Sequence, residues 1–176
     1  YLQDEQSHHG NIEEELSDFF WHVRISGKKL SHCELPPLCN KFLQHIGVKQ
    51  SFCQIVFLIV SEMISNALDH GILRLDSHMK EEHEGFSRYF QEREVRLARL
   101  TNTDAIELKL RWEPKPAGAQ LVVSVEDTGT GYAYSDAWLQ RDDLLSGRGL
   151  RMIKNLSRHV EIFPPGNRIE AVISTS

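Results

Sequence analysis

The most apolar stretch of the chain, from residue 51 to Gly71, has the periodicity of a buried helix. Apolar side chains recur there three and four residues apart, as they do on one helix face. They are Phe52, Ile55, Val56, Ile59, Val60 and Met63. Gly71 then predicts the end of the helix. Glu62, Asn66 and His70 lie at positions i, i+4 and i+8, so they share one side of it. Because a charge on a largely buried helix must be paired or solvated, this side predicts a pocket.

Shorter elements are predicted before this helix. Residues 1 to 17 are polar and acidic, which indicates a linker or a loose first helix. Residues 18 to 26 are rich in aromatic and branched side chains, which is typical of a strand. A Pro-Pro pair at Pro36 then opens a short helix that continues to about His45. We expect one folded domain over residues 18 to 176.

A highly charged segment follows the long helix. Residues 74 to 103 contain many Glu, Lys and Arg side chains, yet they keep an apolar face at helical spacing. That face consists of Phe86, Tyr89, Phe90, Leu97 and Leu100. We interpret the segment as an inserted amphipathic helix that packs on the domain or on a partner, with its charges in solvent.

The C-terminal half begins with a predicted hairpin. Apolar residues from Ile106 to Trp112 occupy every second position, which is the period of a strand. Residues 121 to 125 form a second apolar run, and Pro and Gly residues between 114 and 118 supply the turn.

A loop, a helix and two closing strands complete the pattern. Residues 132 to 146 predict the loop, residues 149 to 158 the helix, and residues 160 to 163 and 169 to 173 the strands. This succession is typical of an α+β domain built in layers.

Composition narrows the classes of function. With 20 Lys and Arg against 25 Asp and Glu, the formal net charge is -5, which argues against a general nucleic-acid binder. On sequence alone no apolar run is long enough to span a membrane and no secretory signal is present, so we expect no membrane partner. Because the first residue is Tyr1 rather than Met, we expect either a piece of a longer chain with other domains or a processed protein.

The cysteines indicate a compartment. Cys33, Cys39 and Cys53 are odd in number and include no C-x-x-C pair. Free thiols in a reducing compartment fit this count, so we expect a cytoplasmic protein. The alternative, a metal site at His32, Cys33 and Cys39, does not have the spacing of the common zinc patterns.

The second strand of the hairpin ends in a motif with two glycines. Asp127 ends the strand, and Gly129 and Gly131 follow it. A carboxylate followed by glycines lets the backbone approach a bound group closely. The same sequence is also good turn chemistry, so the motif alone leaves both interpretations open.

A second glycine motif, Gly147-Arg148-Gly149-Leu150, precedes the last predicted helix. Free N–H groups and the helix dipole favour an anion at such a position. Arg148 adds a cation suited to phosphate. The plain alternative is a flexible loop.

The order of three segments is more informative than any one of them. They are Glu62-x-x-x-Asn66, Asp127-x-Gly129-x-Gly131 and Gly147-x-Gly149-Leu150. Together they resemble the N box and the two glycine boxes of the GHKL (Bergerat-fold) ATPase superfamily, over roughly residues 20 to 175. That superfamily includes gyrase, histidine kinases, heat-shock chaperones and mismatch-repair proteins. The resemblance implies a two-layer α/β sandwich, with helices on one face of a mixed, mostly antiparallel sheet and ATP bound between helix and lid.

The sequence around the N box is most similar to the anti-sigma-factor serine kinase branch. The insertion resembles a version at the C-terminus of proteobacterial response regulators, after a metal-dependent serine/threonine phosphatase domain of the sporulation type. This resemblance implies a two-component or partner-switching pathway, with an anti-anti-sigma (STAS) protein as partner and a sigma factor as a second candidate. Related kinases form homodimers, and the face with Phe86, Tyr89 and Phe90 is a candidate surface.

The resemblance also implies roles at the base and metal ends of the site. Asp127 would accept a hydrogen bond from the adenine amino group. Gly129 and Gly131 would let the backbone wrap the base and ribose. Asn66 would hold Mg²⁺ through its side-chain oxygen, with phosphates and water completing the shell.

At the phosphate end, the resemblance implies that Glu62 is the general base for an attacking hydroxyl. The phosphates would be held by Gly147, Arg148, Gly149 and Leu150. His70 would help shape the site, or it would cap carbonyls at the helix end.

Two features depart from the family pattern. The last box carries Gly166-Asn167-Arg168 where Gly-Thr is usual. Asn167 can bond to a nucleotide-side group as Thr does. The predicted lid, residues 132 to 146, is short.

Three functions remain open. The first is an ATP-dependent serine/threonine kinase, which the presence of Glu62 favours. The second is a nucleotide-binding, anti-sigma-like module with little or no catalysis. The third is the catalytic half of a histidine kinase.

Overall fold

The computed structural model describes residues 17–32, 34–76, 85–131 and 148–175. The strands are β1 (Phe19–Ser26), β2 (Ala105–Lys115), β3 (Gly118–Asp127), β4 (His159–Phe163) and β5 (Arg168–Ser174). The α-helices are α1 (Leu35–His45), α2 (Gln50–Asn66), α3 (Gly85–Leu97) and α4 (Arg148–Leu156). A 3-10 helix at Gly27–His32 follows β1, and a π-helical turn at Ala67–Ile72 continues α2.

The five strands form one sheet in the order β1-β2-β3-β5-β4. β2 and β3 are the predicted hairpin, in which Leu110 is paired with Val123. Every strand pairing among the described residues is antiparallel, so the sheet is simpler than the mixed sheet that we expected. The predicted α+β sandwich is confirmed.

The alternation along β2 separates the two faces of the sheet. Its buried side chains are Ile106, Leu108, Leu110 and Trp112. Glu107 lies on the opposite face, where it pairs with Arg24 at 2.5 Å and with Lys109 at 3.2 Å. Because side chains alternate across a strand, one face contacts the helices and the other carries ion pairs.

Helices α1 and α2 cover the apolar face of the sheet. Phe52 on α2 contacts Trp112 edge to face, with ring centroids 5.9 Å apart. Trp21 on β1 stacks on Phe42 of α1 at 5.2 Å. Cys39 and Cys53 are both fully buried, and they form no disulfide in the part of the chain that the structure describes.

We expected helix α2 to end at Gly71. The helix instead continues through the π turn to Ile72. In that turn, the N–H of Leu73 donates to the carbonyl of Leu68 at 2.8 Å. Gly71 is buried inside the turn rather than serving as a stop. Such π turns occur frequently at functional sites.

The continuous helix Gln50–Ile72 corrects the expectation about membrane-spanning length. It has 23 residues and a window of mean hydropathy 1.6, so by length and composition alone it could cross a membrane. Half of that window is buried inside the domain, as in the core helix of a folded protein.

Helix α3 lies within the predicted insertion but buries only part of the expected apolar face. Tyr89, Leu97 and Leu100 are buried. Phe86 and Phe90 are 57% and 58% exposed, so the face is divided between core and surface.

Several predictions fall outside the described residues. They concern the N-terminal linker, Cys33, the lid at 132 to 146 and Gly147.

Candidate nucleotide site

A cleft open to solvent lies where α2, β3 and the β4–β5 turn meet. The helix and its π turn contribute Met63, Asn66 and Ala67, and β3 contributes Val125 and Asp127. β4, the turn after it and β5 contribute Ile162, Gly166, Asn167, Arg168 and Ile169. Two of the predicted ligands, Asn66 and Asp127, therefore line one cleft.

Asp127 ends β3 at the floor of this cleft, where only 7% of the residue is exposed. Its Oδ1 accepts a hydrogen bond from the N–H of Gly129 at 2.7 Å. Burial raises the pKa of the carboxyl, the Gly129 N–H lowers it, and nearby Glu126 raises it. The net pKa is about 6. A carboxyl in this setting can accept a hydrogen bond from a base that displaces water.

Close packing around Asp127 explains two glycines. A Cβ at Gly71 would lie 2.5 Å from Oδ2 of Asp127. A Cβ at Gly129 would overlap the carbonyl oxygen of Gly71. The π turn thus forms a wall of the Asp127 site, and a side chain at either glycine would push this wall away.

Gly131 has a different neighbour. Its φ is +70°, and a Cβ there would overlap the carbonyl oxygen of Pro165 in the β4–β5 turn. The residue therefore packs the motif after β3 against that turn.

Asn167 holds the backbone of Asp127. Its Nδ2 donates to the carbonyl of Asp127 at 2.9 Å, and the N–H of Asp127 donates to the carbonyl of Asn167 at 2.9 Å. Asn167, which departs from the usual Gly-Thr, thus fixes the backbone of Asp127 through its side-chain amide.

Asn66 and Glu62 lie one turn apart on α2, both partly exposed. Glu62 contacts the first turn of α4, where a Cβ at Gly149 would overlap its carboxylate. In the same turn Arg148 is exposed and Leu150 is buried. The N box and the second glycine motif are therefore adjacent. The Glu62 carboxylate of the N box makes the contact with the glycine motif.

His70 has a partner of its own. Its Nδ1 lies 2.8 Å from the carbonyl oxygen of Leu75. Because a carbonyl only accepts, Nδ1 carries the proton in this contact. This bond favours the helix-end alternative for His70, and the residue does not belong to the lining of the cleft described above.

The donor chemistry fits Mg-ATP better than a protein-built metal centre. Among the residues that the structure describes, no group of three His, Cys, Asp or Glu side chains could hold a metal. Mg²⁺ commonly takes one or two protein oxygens and completes its shell with phosphates and water. The Asn66 oxygen beside an open cleft satisfies that requirement.

Sequence reasoning missed two contributions. The sequence indicates a helix stop at Gly71, whereas in the structure this residue packs against Asp127. Asp69 was not singled out, yet it is a buried carboxylate two residues from that contact. A buried charge inside an apolar segment was the available signal.

These features define the class: an α+β sandwich with an open cleft between its long helix and the end of a strand. A family model described as a histidine kinase-like ATPase domain matches residues 38–173. The chain belongs to that family, which implies ATP binding by a kinase-like ATPase domain. No curated protein matches the sequence significantly.

Proposed function

We propose that this domain is a serine/threonine protein kinase that transfers the γ-phosphoryl group of Mg-ATP to a serine of a STAS-type partner. The observation that carries the proposal is the position of Glu62. Its carboxylate lies one helical turn from Asn66 and touches α4 at Gly149. A base at the phosphate end of the cleft would be required for attack by a hydroxyl.

In the proposed reaction, a serine Oγ of the partner attacks the γ-phosphorus. The new O–P bond forms as the bond to the β-phosphate oxygen breaks and ADP leaves. Glu62 takes the proton from the serine hydroxyl. Mg²⁺, when bound, neutralises charge on the phosphates.

Other residues of the chain would bind and orient the nucleotide. Asp127 would accept a hydrogen bond from the adenine amino group, while Asn167 keeps that residue in place. Asn66 would hold Mg²⁺ by its side-chain oxygen. Arg148, at the exposed start of α4, would approach the phosphates, and Gly147 extends this motif.

The partner part of the proposal follows from the resemblance of the N box to anti-sigma-factor kinases. Phosphorylation would add about two negative charges to the STAS surface and change its contacts. We further propose a cytoplasmic setting, with regulation by other domains of a longer chain, a homodimer, and a sigma factor as a further partner.

The Glu62→Gln variant tests the kinase. The change keeps the side-chain volume and removes the base, so phosphotransfer from labelled ATP to a purified STAS protein should fall about 100-fold or more. ATP affinity, measured by calorimetry, should remain within about twofold, since Glu62 acts in transfer rather than in base recognition. Glu161→Gln, at an exposed position on β4, is the matched control.

Two outcomes would contradict the kinase. Partner control that survives Glu62→Gln without any phosphotransfer would establish a binding module. An acid-labile phosphohistidine product would instead establish the catalytic half of a histidine kinase.

A further inference from the structure

The inserted helix α3 is joined to the π turn by hydrogen bonds to a buried carboxylate. Asp69, in that turn, is only 8% exposed. Its Oδ2 accepts a bond from the Tyr89 hydroxyl at 2.9 Å, and its Oδ1 accepts one from Nε of Arg93 at 2.9 Å. Both oxygens of this buried carboxylate are thus bonded to α3. We refer to Asp69, Tyr89 and Arg93 as the clamp.

The donors of the clamp suit a permanent contact. Tyr89 is 1% exposed, and its burial together with the Asp69 carboxylate raises the pKa of its hydroxyl. The hydroxyl therefore stays protonated and keeps donating. Arg93 supplies the positive charge that a buried carboxylate requires.

A second arginine of α3 fixes the end of the π turn. Nη1 of Arg96 donates to the carbonyls of Leu73 and Arg74 at 2.6 and 2.7 Å. Arg74 has a φ of 53°, an unusual conformation for a residue with a side chain. The N–H of Leu75 also donates to the carbonyl of Asp69 at 2.7 Å. The residues that follow the π turn, Leu73 and Arg74, are therefore fixed by a side chain of α3.

The opposite side of the same turn faces the cleft. Gly71, two residues after Asp69, packs against the carboxyl of Asp127 so closely that a Cβ would lie 2.5 Å from Oδ2. Gly129, whose N–H bonds that carboxyl, is packed against the Gly71 carbonyl. A shift of the π turn would therefore displace the wall against which Asp127 is set.

We propose that α3, through the clamp, positions the π turn and thereby sets the nucleobase end of the cleft. Asp69, Tyr89 and Arg93 are positioning residues: they act through Gly71 on Asp127 and do not touch the nucleotide. This inference rests on the proposed function in one respect, the recognition of the adenine amino group by Asp127. It gives the insertion a role in base selection.

The test compares ATP with purine riboside triphosphate, which lacks the amino group of adenine. Affinities for both are measured by calorimetry with Mg²⁺ for the parent chain, Tyr89→Phe and Arg93→Gln. Loss of one bond to a buried charge should reduce the preference for ATP by about tenfold. Arg93→Lys, which keeps the charge, should restore part of that preference.

Controls separate positioning from general stability. Arg99→Gln changes an exposed arginine just beyond α3 and should leave the preference unchanged. Circular dichroism melting establishes that each variant is folded, and Tyr89→Phe decides the matter if Arg93→Gln does not fold. Unchanged preference in a folded Tyr89→Phe variant, or equal weakening of both ligands, would overturn the inference.

The experiment also separates this inference from the proposed function. If the parent shows no preference for ATP, recognition by Asp127 fails, and the clamp's role in it fails too. If the parent prefers ATP and the clamp variants keep that preference, only the inference about α3 fails.

Discussion

The carboxyl of Asp127 lies where burial opposes its ionisation. Its folded-state pKa is raised to about 6 from an ordinary value of 3.8. Between these pH values the folded protein binds more protons than the unfolded chain, so the free energy of unfolding falls as pH rises. Above pH 6 the penalty is fully present, with an upper bound of about 3 kcal/mol. Burial of the Asp127 carboxyl therefore lowers the free energy of unfolding at neutral pH.

Asp127→Asn should remove that penalty. We expect the variant to gain about 1–3 kcal/mol in free energy of unfolding at pH 7.5, and much less at pH 4, where most of the penalty is absent. Urea denaturation at both pH values measures the difference, with Asp18→Asn at an exposed position as control. A variant no more stable than the parent at pH 7.5 would contradict the account of this residue.

Individual site residues differ in how far the sequence alone predicts them. Asn66 could be placed on the pocket side of α2 because helical spacing fixes its direction relative to Glu62. The role of Gly71 could not be predicted, because its packing against Asp127 joins elements that are distant in sequence. Asn167 was noticed as a departure from the family, but its bond to Asp127 depends on the tertiary fold.

Among the elements, α2 and α4 meet where Gly149 leaves room for the Glu62 carboxylate. A methyl group at Gly149 would overlap that carboxylate. The contact ties Glu62, the proposed base, to the helix whose start carries Arg148. Movement of α4 would therefore change the direction of Glu62.

Gly149→Ala should therefore damage phosphotransfer more than ATP binding. The added methyl displaces Glu62, so we expect at least about a tenfold fall in turnover with a smaller change in ATP affinity, because misplaced catalytic groups lose rate steeply. Single-turnover transfer and calorimetry measure the two quantities, and Asn155→Ala, exposed on α4, is the control. Equal losses in both quantities would show that Gly149 serves nucleotide binding alone.

The elements themselves were largely predictable from periodicity. The alternation in β2 and the apolar spacing in α2 determine strand and helix because each places one face in the core. The continuation of α2 as a π turn was not predictable, since contacts with α3 and Asp127 hold it. The division of the α3 face was also not predictable, because periodicity places Phe86, Tyr89 and Phe90 on one face but does not show which of them the fold covers.

At the scale of the whole molecule, the cleft exists because separate parts of one sandwich converge. The end of α2, the end of β3 and the β4–β5 turn meet there. The resemblance of three short motifs predicted this convergence and the sandwich, whereas periodicity predicted the pocket side of α2 but neither the strand order nor the other walls of the cleft. Membership of the histidine kinase-like ATPase family then accounts for the association of these three motifs with ATP.

Calorimetric titration of the domain with ATP, with and without Mg²⁺, tests the central claim most directly. We expect Mg²⁺-dependent binding that Asp127→Asn abolishes, because the proposed acceptor for the adenine amino group is altered. Asn66→Ala should retain weak binding without its Mg²⁺ dependence, because the metal's protein oxygen is lost. ATP binding that neither variant changes would contradict the assignment of this cleft as the nucleotide site.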